Sequence, residues 1–386
     1  MRCQCAAARD VVQSKMTTHP GRDGSLGGNG SGSSGGSGTP PEPHELPRRP
    51  CTVVDLDAWR RERDDCNVGT VCVPIRPALA PDIFRQLFVQ LYPQLREVWM
   101  THRAPGLAVA AVHSRFRQLE WRGWIAADEA VPRALIAGRH EQAELYLAGD
   151  AAVSLRHLAI ILEPLGAGPP RAPRLRVVDL RTGVGLRDEH GRCHDGIVSD
   201  GPVFGSCGTY VLYLLPTNAV GEPWPSSAQD AWMMLPPRSY VQRNEPAPPR
   251  ANHAVTIVTS TLGPTSIVEP LMHDAEPPLG TLSFTAHGSS QRIAVGARAL
   301  DRGIMVGRYE RCAASLALAS SSVSRVHALV VRIGGDVYAL DIASTNGCWP
   351  PSTQSAEKAP TVFALRDHPE LALGDGNVVM RWSPAR

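Results

Sequence analysis

Short apolar runs separated by polar clusters constrain the C-terminal third of this sequence more than any other feature. Residues 326–333 are apolar and rich in β-branched side chains, which is typical of a strand in a β-sandwich. A glycine-rich turn at 334–336, of the kind that supplies positive φ, leads into a second apolar run at 337–340. Polar clusters flank these runs at 306–308, 322–328 and 341–347. Binding residues collect on loops at one end of a β-scaffold, so we expect the three clusters to lie together.

The side chains of these clusters suit an anion. Arg308 offers a planar fork of donors that matches phosphate oxygens, and its charge cannot be removed by pH. Ser324 adds a hydroxyl donor and Arg325 a second cation. Residues 344–346 add two hydroxyls and an amide that can hold a peptide backbone. None of these residues has an evident activating base, so the set is suited to hold a phosphate rather than to cleave it.

Other interpretations of the clusters remain open. A Gly-Arg pair alone commonly does no more than close a turn, although three clusters in this order are more specific. A hydrolase is conceivable from Ser324, His327 and Asp341, but the serine and histidine are three residues apart across a turn and no nucleophile elbow precedes the serine. A structural protein with inert folds is the remaining alternative.

The clusters resemble the forkhead-associated (FHA) domain, a β-sandwich that binds phosphothreonine peptides. The resemblance rests on Gly307-Arg308, on residues 324–328 and on residues 341–347. It extends to residues 371–375, which are similar to the late turn before the family's final strand. No catalytic role follows from it.

The resemblance also implies a role for each site residue. Arg308 and Ser324 would grip the phosphate, with Arg325 and Thr345 assisting, and Asn346 would bind the peptide backbone beside the phosphothreonine. The residues that would support the site are Gly307, His327, Ser344 and Gly347, with His327 as an internal brace and Gly347 as a backbone requirement.

An earlier stretch, residues 104–216, repeats the same order of features. Gly138-Arg139 is followed by Ser154 and His157 before an apolar run, and then by Asp179 closing a strand into a glycine turn. The sequence therefore predicts two copies of one fold.

The first copy departs from the second at its binding positions. Leu155 stands where the second copy has Arg325, Gly183 replaces Thr345 and Val184 replaces Asn346. Without that amide the first copy loses the contact that would hold a peptide backbone, and such a contact is typically worth about 1–3 kcal/mol. We favour a degenerate copy kept for packing or for a different ligand, with Arg139 and Ser154 as a possible weak second site.

The remaining segments are predicted from composition and periodicity. Residues 1–50 are dominated by Gly, Ser and Pro and are expected to be a disordered tail. Residues 51–103 form a partly helical extension, expected to pack onto the next domain as one helix or as two broken at Pro93. The helical spacing is carried by Ile83, Leu87, Phe88, Leu91, Leu95 and Val98.

Residues 217–277 are predicted to be an extended, Pro/Thr-rich linker. A threonine-rich stretch within it is compatible with a short strand. The alternative is that a phosphorylated threonine there binds the C-terminal domain of the same chain, helped by a high effective concentration. The candidates are Thr256, Thr259, Thr261 and Thr265.

Charge and cysteine content exclude several other classes. A net charge of +2 on 386 residues argues against a strongly electrostatic binder of nucleic acid or membranes, and no apolar run reaches bilayer length. The nine cysteines form no CxxC pair, so we expect free thiols, no metal and no cofactor. Cys348, beside the third cluster, is expected to be partly exposed. With no export signal at its start, the chain is expected to be cytoplasmic.

Together these expectations give a mainly β protein: two FHA-type β-sandwiches at 104–216 and 278–386, joined by the Pro-rich linker. The resemblance implies that it is not an enzyme but a phosphothreonine-binding adaptor in Ser/Thr kinase signalling. Its expected partners are phosphothreonine-containing proteins, among them Ser/Thr kinases or their substrates.

Overall fold

The fold is taken from a computed structural model. It describes residues 79, 82–166, 173–180, 182, 185–217, 224–236, 238–240, 256–258, 271–272, 276–309, 312–314, 321–351 and 362–385. The predicted tail at 1–50 lies outside these ranges, as do Gly183, Val184, Thr259, Thr261 and Thr265.

The first β-sandwich is built from two sheets whose apolar faces meet. The strands are β1 (Gly106–His113), β2 (Gln118–Ala126), β3 (Arg133–Gly138), β4 (Leu145–Tyr146), β5 (Leu158–Leu162), β6 (Leu175–Asp179), β7 (Leu186–Arg187), β8 (Cys193–His194), β9 (Gly196–Ser199), β10 (Val203–Cys207) and β11 (Tyr210–Thr217). One sheet has the strand order β2-β1-β11-β10-β7-β8 and the other has the order β4-β3-β5-β6-β9, with all neighbours antiparallel except β4, which is parallel to β3.

A helical layer covers the outer face of the first sheet. Helix α1 (Asp82–Thr101) is continuous through Pro93, whose ring lies on the exposed side. Its buried stripe packs on Ala108, Ala110 and Val112 of β1, whose alternate residues face the sandwich interior. The predicted helix and its packing onto the next domain are therefore present. None of the helices in the described ranges is long and apolar enough to cross a membrane.

The segment predicted to be an extended linker contains regular structure. Helix α2 (Ala228–Met234) begins after Ser227, whose hydroxyl accepts a hydrogen bond from Asp230 N at 3.4 Å. Pro225 O accepts hydrogen bonds from Tyr92 and Arg96 of α1. The helix packs in the same apolar cluster as the buried face of α1. The prediction of an extended linker was wrong for residues 224–236, because Trp224 and Trp232 there are partly buried and contact Trp99 and Phe88 of α1.

Two short strands also lie within the predicted linker. The strand β12 (Arg238–Tyr240) pairs in parallel with β13 (Thr256–Val258), with Arg238 opposite Thr256. The strand interpretation of the threonine-rich stretch therefore holds for these three residues.

The strands of the second sandwich are β14 (Gly280–Ala286), β15 (Ser289–Val295), β16 (Ile304–Val306), β17 (Ala328–Ile333), β18 (Asp336–Asp341), β19 (Cys348–Trp349), β20 (Val362–Ala364), β21 (Glu370–Leu373) and β22 (Val378–Pro384). Its sheets are β15-β14-β22-β21-β19 and β16-β17-β18-β20, and the short helix α3 (Ala297–Arg302) precedes β16. Apart from β4 and β8, this repeats the strand order of the first sandwich. The register matches as well: β5 places Leu158 opposite Asp179, and β17 places Ala328 opposite Asp341.

The two sandwiches pack directly against each other through the sheets that carry β5 and β17. Alternate residues of a strand point to opposite faces of its sheet. In β5, Leu158, Ile160 and Leu162 join the interior of the first sandwich, whereas Ala159 and Ile161 join a core shared with the second. The shared core consists of Ile136, Ala143, Ala159, Ile161, Val178, Leu180, Met305, Cys312, Leu329, Val331, Ile333, Tyr338, Leu340, Ile342 and Ala343. Each fully buried Ile, Leu or Val contributes about 1.5–3 kcal/mol, so this contact joins the sandwiches independently of the linker.

Candidate functional site

The three polar clusters of the second sandwich lie at one end of its smaller sheet. The first follows β16, the second precedes β17 and the third follows β18. Main-chain hydrogen bonds link the first two clusters, from Arg308 N to Ser324 O at 3.0 Å and from Tyr309 N to Arg325 O at 2.7 Å. Arg308 Nε also donates to Val323 O, while the side chain as a whole is exposed. The guanidinium of Arg308 is therefore anchored on the Ser324 loop and open to solvent.

The close approach of the first two loops requires a glycine at 307. A Cβ atom at Gly307 would lie under 3.0 Å from the main-chain carbonyl of Arg325. Because the obstacle is backbone, it cannot swing aside as a long side chain would. Gly307 thus sets how near Arg308 comes to the second loop.

Ser324 joins the second loop to the third. Its hydroxyl accepts a hydrogen bond from Thr345 N at 3.0 Å and lies 3.4 Å from Thr345 Oγ1. Ser324 is buried, whereas Arg325, Thr345 and Asn346 are exposed. The predicted phosphate-gripping and backbone-binding residues are therefore on adjoining loops.

His327 braces the loops from beneath. Its Nδ1 accepts from Ser324 N at 3.0 Å and its Nε2 lies 2.9 Å from Gly347 O, which assigns the neutral tautomer with the proton on Nε2. Burial lowers the pKa of His327. The imidazole contacts the main-chain nitrogen of Ser324 and not its hydroxyl, so these residues do not form the proton relay that the hydrolase alternative needs.

Asp341 shapes the third loop. Its carboxylate accepts from Ser344 N at 2.7 Å and from Ser344 Oγ at 2.9 Å, and Ser344 Oγ in turn accepts from Gly347 N at 2.9 Å. Gly347 has a φ of 84°, a left-handed conformation that favours glycine. These bonds close the turn that presents Thr345 and Asn346.

Ser322 and Asp375 lie in stretches that the sequence analysis named, but neither residue was given a role at the site. Asn346 Nδ2 donates to Ser322 O at 2.7 Å, and Ser322 Oγ donates to Asp375 at 2.8 Å. The hydrogen bond from Ser322 is the main cause that lowers the pKa of Asp375. Asp375 belongs to the late turn, whose glycine, Gly374, packs on Ser322. The sequence did contain a signal for Asp375, since it is a polar residue within the turn that resembles the family's late turn.

The first sandwich has the same hydrogen bonds at the equivalent positions. Arg139 Nε donates to Val153 O, Arg139 N donates to Ser154 O at 3.0 Å, and Ser154 N donates to His157 Nδ1 at 3.1 Å. Asp179 accepts from Thr182 as Asp341 does from Ser344. Burial lowers the pKa of His157 to about 4. Arg139 and Ser154 therefore lie beside each other, both half-buried.

Three buried groups near the site also resemble a metal-ligand set. The ligand atoms of His327, Asp341 and Cys348 lie within 4.8 Å of one another. Both ring nitrogens of His327 and both oxygens of Asp341 are already engaged with the loops. Cys348 is buried, contrary to the prediction that it is partly exposed, and burial raises the pKa of its thiol. The cluster is suited to internal bracing rather than to metal binding.

Comparison with known proteins identifies the C-terminal region. Residues 304–362 match the model of the FHA domain family, and no curated protein matches the chain. The first FHA domain of Mycobacterium tuberculosis Rv1747 is 22% identical, with 28% of this chain and 100% of that chain covered and a TM-score of 0.22. The FHA domain of CT664 from Chlamydia trachomatis is 16% identical over 28% and 96% of the chains, with a TM-score of 0.22. Mycobacterium tuberculosis EmbR, in complex with a low-affinity phosphopeptide, is 20% identical, with 30% of this chain and 27% of that chain covered and a TM-score of 0.22.

Proposed function

We propose that residues 278–386 bind phosphothreonine-containing peptides and that the protein is an adaptor in Ser/Thr kinase signalling. The observation that carries the proposal is the arrangement around Ser324. This buried residue links the loop that anchors Arg308 to the loop that exposes Thr345 and Asn346. An exposed guanidinium beside hydroxyl and amide groups suits a phosphate followed by a peptide backbone.

In this proposal Arg308 and Ser324 hold the phosphate, and Arg325 and Thr345 assist. Asn346 holds the peptide backbone. The partners are phosphothreonine-containing proteins, including Ser/Thr kinases or their substrates.

The test is binding of the full chain to an oriented phosphothreonine peptide library and to its unphosphorylated counterpart. We expect selection of phosphorylated peptides and a loss of at least tenfold in affinity with Arg308→Ala, because charge-assisted hydrogen bonds contribute about 1.5–3 kcal/mol. Arg292→Ala is the matched control, since Arg292 is an exposed arginine on β15 of the other sheet. Binding that survives Arg308→Ala, or equal binding of both libraries, would overturn the proposal, and no binding of either library would favour an inert fold.

A second candidate ligand is a phosphothreonine of the same chain, within residues 256–265. Thr256 lies in β13, and the other candidates are outside the described residues. Mass spectrometry after treatment with a Ser/Thr kinase would locate the phosphate. Phosphorylation that fails to reduce binding of an added phosphothreonine peptide would exclude this intramolecular ligand.

A further inference from the structure

One arginine of the first sandwich reaches the binding loop of the second. Arg156 lies just before β5, and its Nε is 2.9 Å from both Ile342 O and Ala343 O. Its Nη2 donates to Ala343 O at 2.5 Å. Ala343 lies two residues before Thr345, where the exposed part of the loop begins.

The contacted turn has a conformation that its sequence does not favour. Ala343 is buried and has a φ of 55°, in the left-handed region that costs a non-glycine residue roughly 1–2 kcal/mol. Such a conformation persists where its surroundings hold it in place. Asp341 holds the turn through Ser344, and Arg156 holds it through the Ile342 and Ala343 carbonyls.

Only the first sandwich has an arginine at this position, so the second sandwich makes no equivalent contact in return. By the matching registers of β5 and β17, the residue equivalent to Arg156 is Val326. Val326 packs against the shared apolar core, so the same position faces the other sandwich in both copies. It carries a charge only in the copy whose own binding positions are altered.

Arg156 keeps its charge although its surroundings, taken together, oppose it. Burial lowers the pKa of Arg156, the charge of Asp341 opposes that effect, and the charge of Arg325 adds to it. A guanidinium remains protonated under such conditions. Its donors therefore supply a fixed charge-assisted contact behind the loop.

We propose that Arg156 is a positioning residue for the ligand-binding loop, so that the first sandwich preorganises the site of the second. The ligand part of this inference rests on the proposed function. An ordered loop binds more tightly because less conformational freedom is lost on association. The first sandwich thus has a role that does not require it to bind a phosphate itself.

The test uses the full chain with Arg156→Met, Arg156→Lys and the matched control Arg176→Met. Arg176 also crosses between the sandwiches, but its Nη1 donates to Asp301 O of helix α3 at 2.7 Å and not to the loop. One readout is hydrogen exchange at the amides of Ser344, Thr345 and Gly347. The other is the dissociation constant of the tightest peptide selected from the oriented phosphothreonine library.

We expect faster exchange in Arg156→Met and about tenfold weaker peptide binding, within the usual range for coupling between sites. Arg156→Lys should be intermediate, since it retains the charge but not the planar fork. Arg176→Met should leave both readouts at wild-type values even if the protein melts at a lower temperature.

The contrary results separate the role of Arg156 from the proposed function. Unchanged exchange in Arg156→Met, faster exchange with unchanged affinity, or an equal effect of Arg176→Met would overturn the role of Arg156. Faster exchange confined to the Arg156 variants, in a protein that selects no phosphothreonine peptide, would support loop positioning and overturn the proposed function.

Discussion

Asn346 is tied to Ser322 by a 2.7 Å hydrogen bond from its side-chain amide to the main-chain carbonyl. This bond fixes the plane of the amide at the exposed tip of the third loop. Ser322 is itself held by Asp375, so the turn between β21 and β22 supports a residue of the proposed site.

Asp375→Ala should weaken phosphothreonine peptide binding by a few fold, since loss of the hydrogen bond to Asp375 would leave Ser322 and Asn346 less ordered. Titration calorimetry measures the effect. Asp367→Ala is the control, because Asp367 is equally exposed and pairs with Arg366 away from the site. Equal affinities of wild type and Asp375→Ala would show that this support does not matter for binding.

Gly307→Ala should lower the free energy of unfolding by about 2 kcal/mol or more, because the added Cβ meets the Arg325 carbonyl and forces the first two loops apart. Urea denaturation gives the value. Gly335→Ala, where nothing lies within 4 Å of the added Cβ, should change it by no more than about 0.5 kcal/mol. Similar effects at the two glycines would contradict the close approach.

His327→Ala should destabilise the protein by about 2–4 kcal/mol, since Ser324 N and Gly347 O lose their buried partner. Thermal and chemical unfolding measure the loss. His368 is exposed, and His368→Ala should be nearly neutral. A small effect at His327 would mean that the loops hold their shape without the imidazole.

Glu144 should make stability fall as pH rises towards neutrality. It lies near the shared core, accepts a hydrogen bond from Ile136 N at 3.0 Å, and burial raises its pKa from 4.5 to about 7. Between these values the folded protein keeps a proton that the unfolded chain has released, so the free energy of unfolding declines through this window. The decline is at most about 3 kcal/mol, at 1.36 kcal/mol per pKa unit.

Urea denaturation between pH 5 and 8 tests this, with the difference between wild type and Glu144→Gln as the quantity of interest. The lowered pKa values of His157 and His327 act in the opposite sense below pH 6.5, and they cancel in that difference. Glu141→Gln, at an exposed neighbouring position, is the control. Parallel pH profiles for wild type and Glu144→Gln would exclude the titration.

Local patterns predicted much of this molecule. The alternation of apolar runs and polar clusters was sufficient for the β-fold and for the neighbourhood of Arg308, Ser324 and Asn346, because strand periodicity and turn chemistry are properties of adjacent residues. The amphipathic spacing likewise placed α1. The helix at 228–234 was missed because seven residues are too short to show a helical period, and the helix is stabilised by packing against α1.

Which residues form each sandwich, and which loops follow each strand, could be worked out from the amino-acid order alone, since these depend on short-range pattern. Three further features follow from the packing of the folded chain: β5 and β17 contribute residues to cores on both of their faces, Asp375 supports Asn346 through Ser322, and Arg156 contacts the loop at 342–343. These contacts join residues far apart in the chain, the last across 187 positions. They depend on the packing of one folded sheet against another, which cannot be predicted from the periodicity of neighbouring residues.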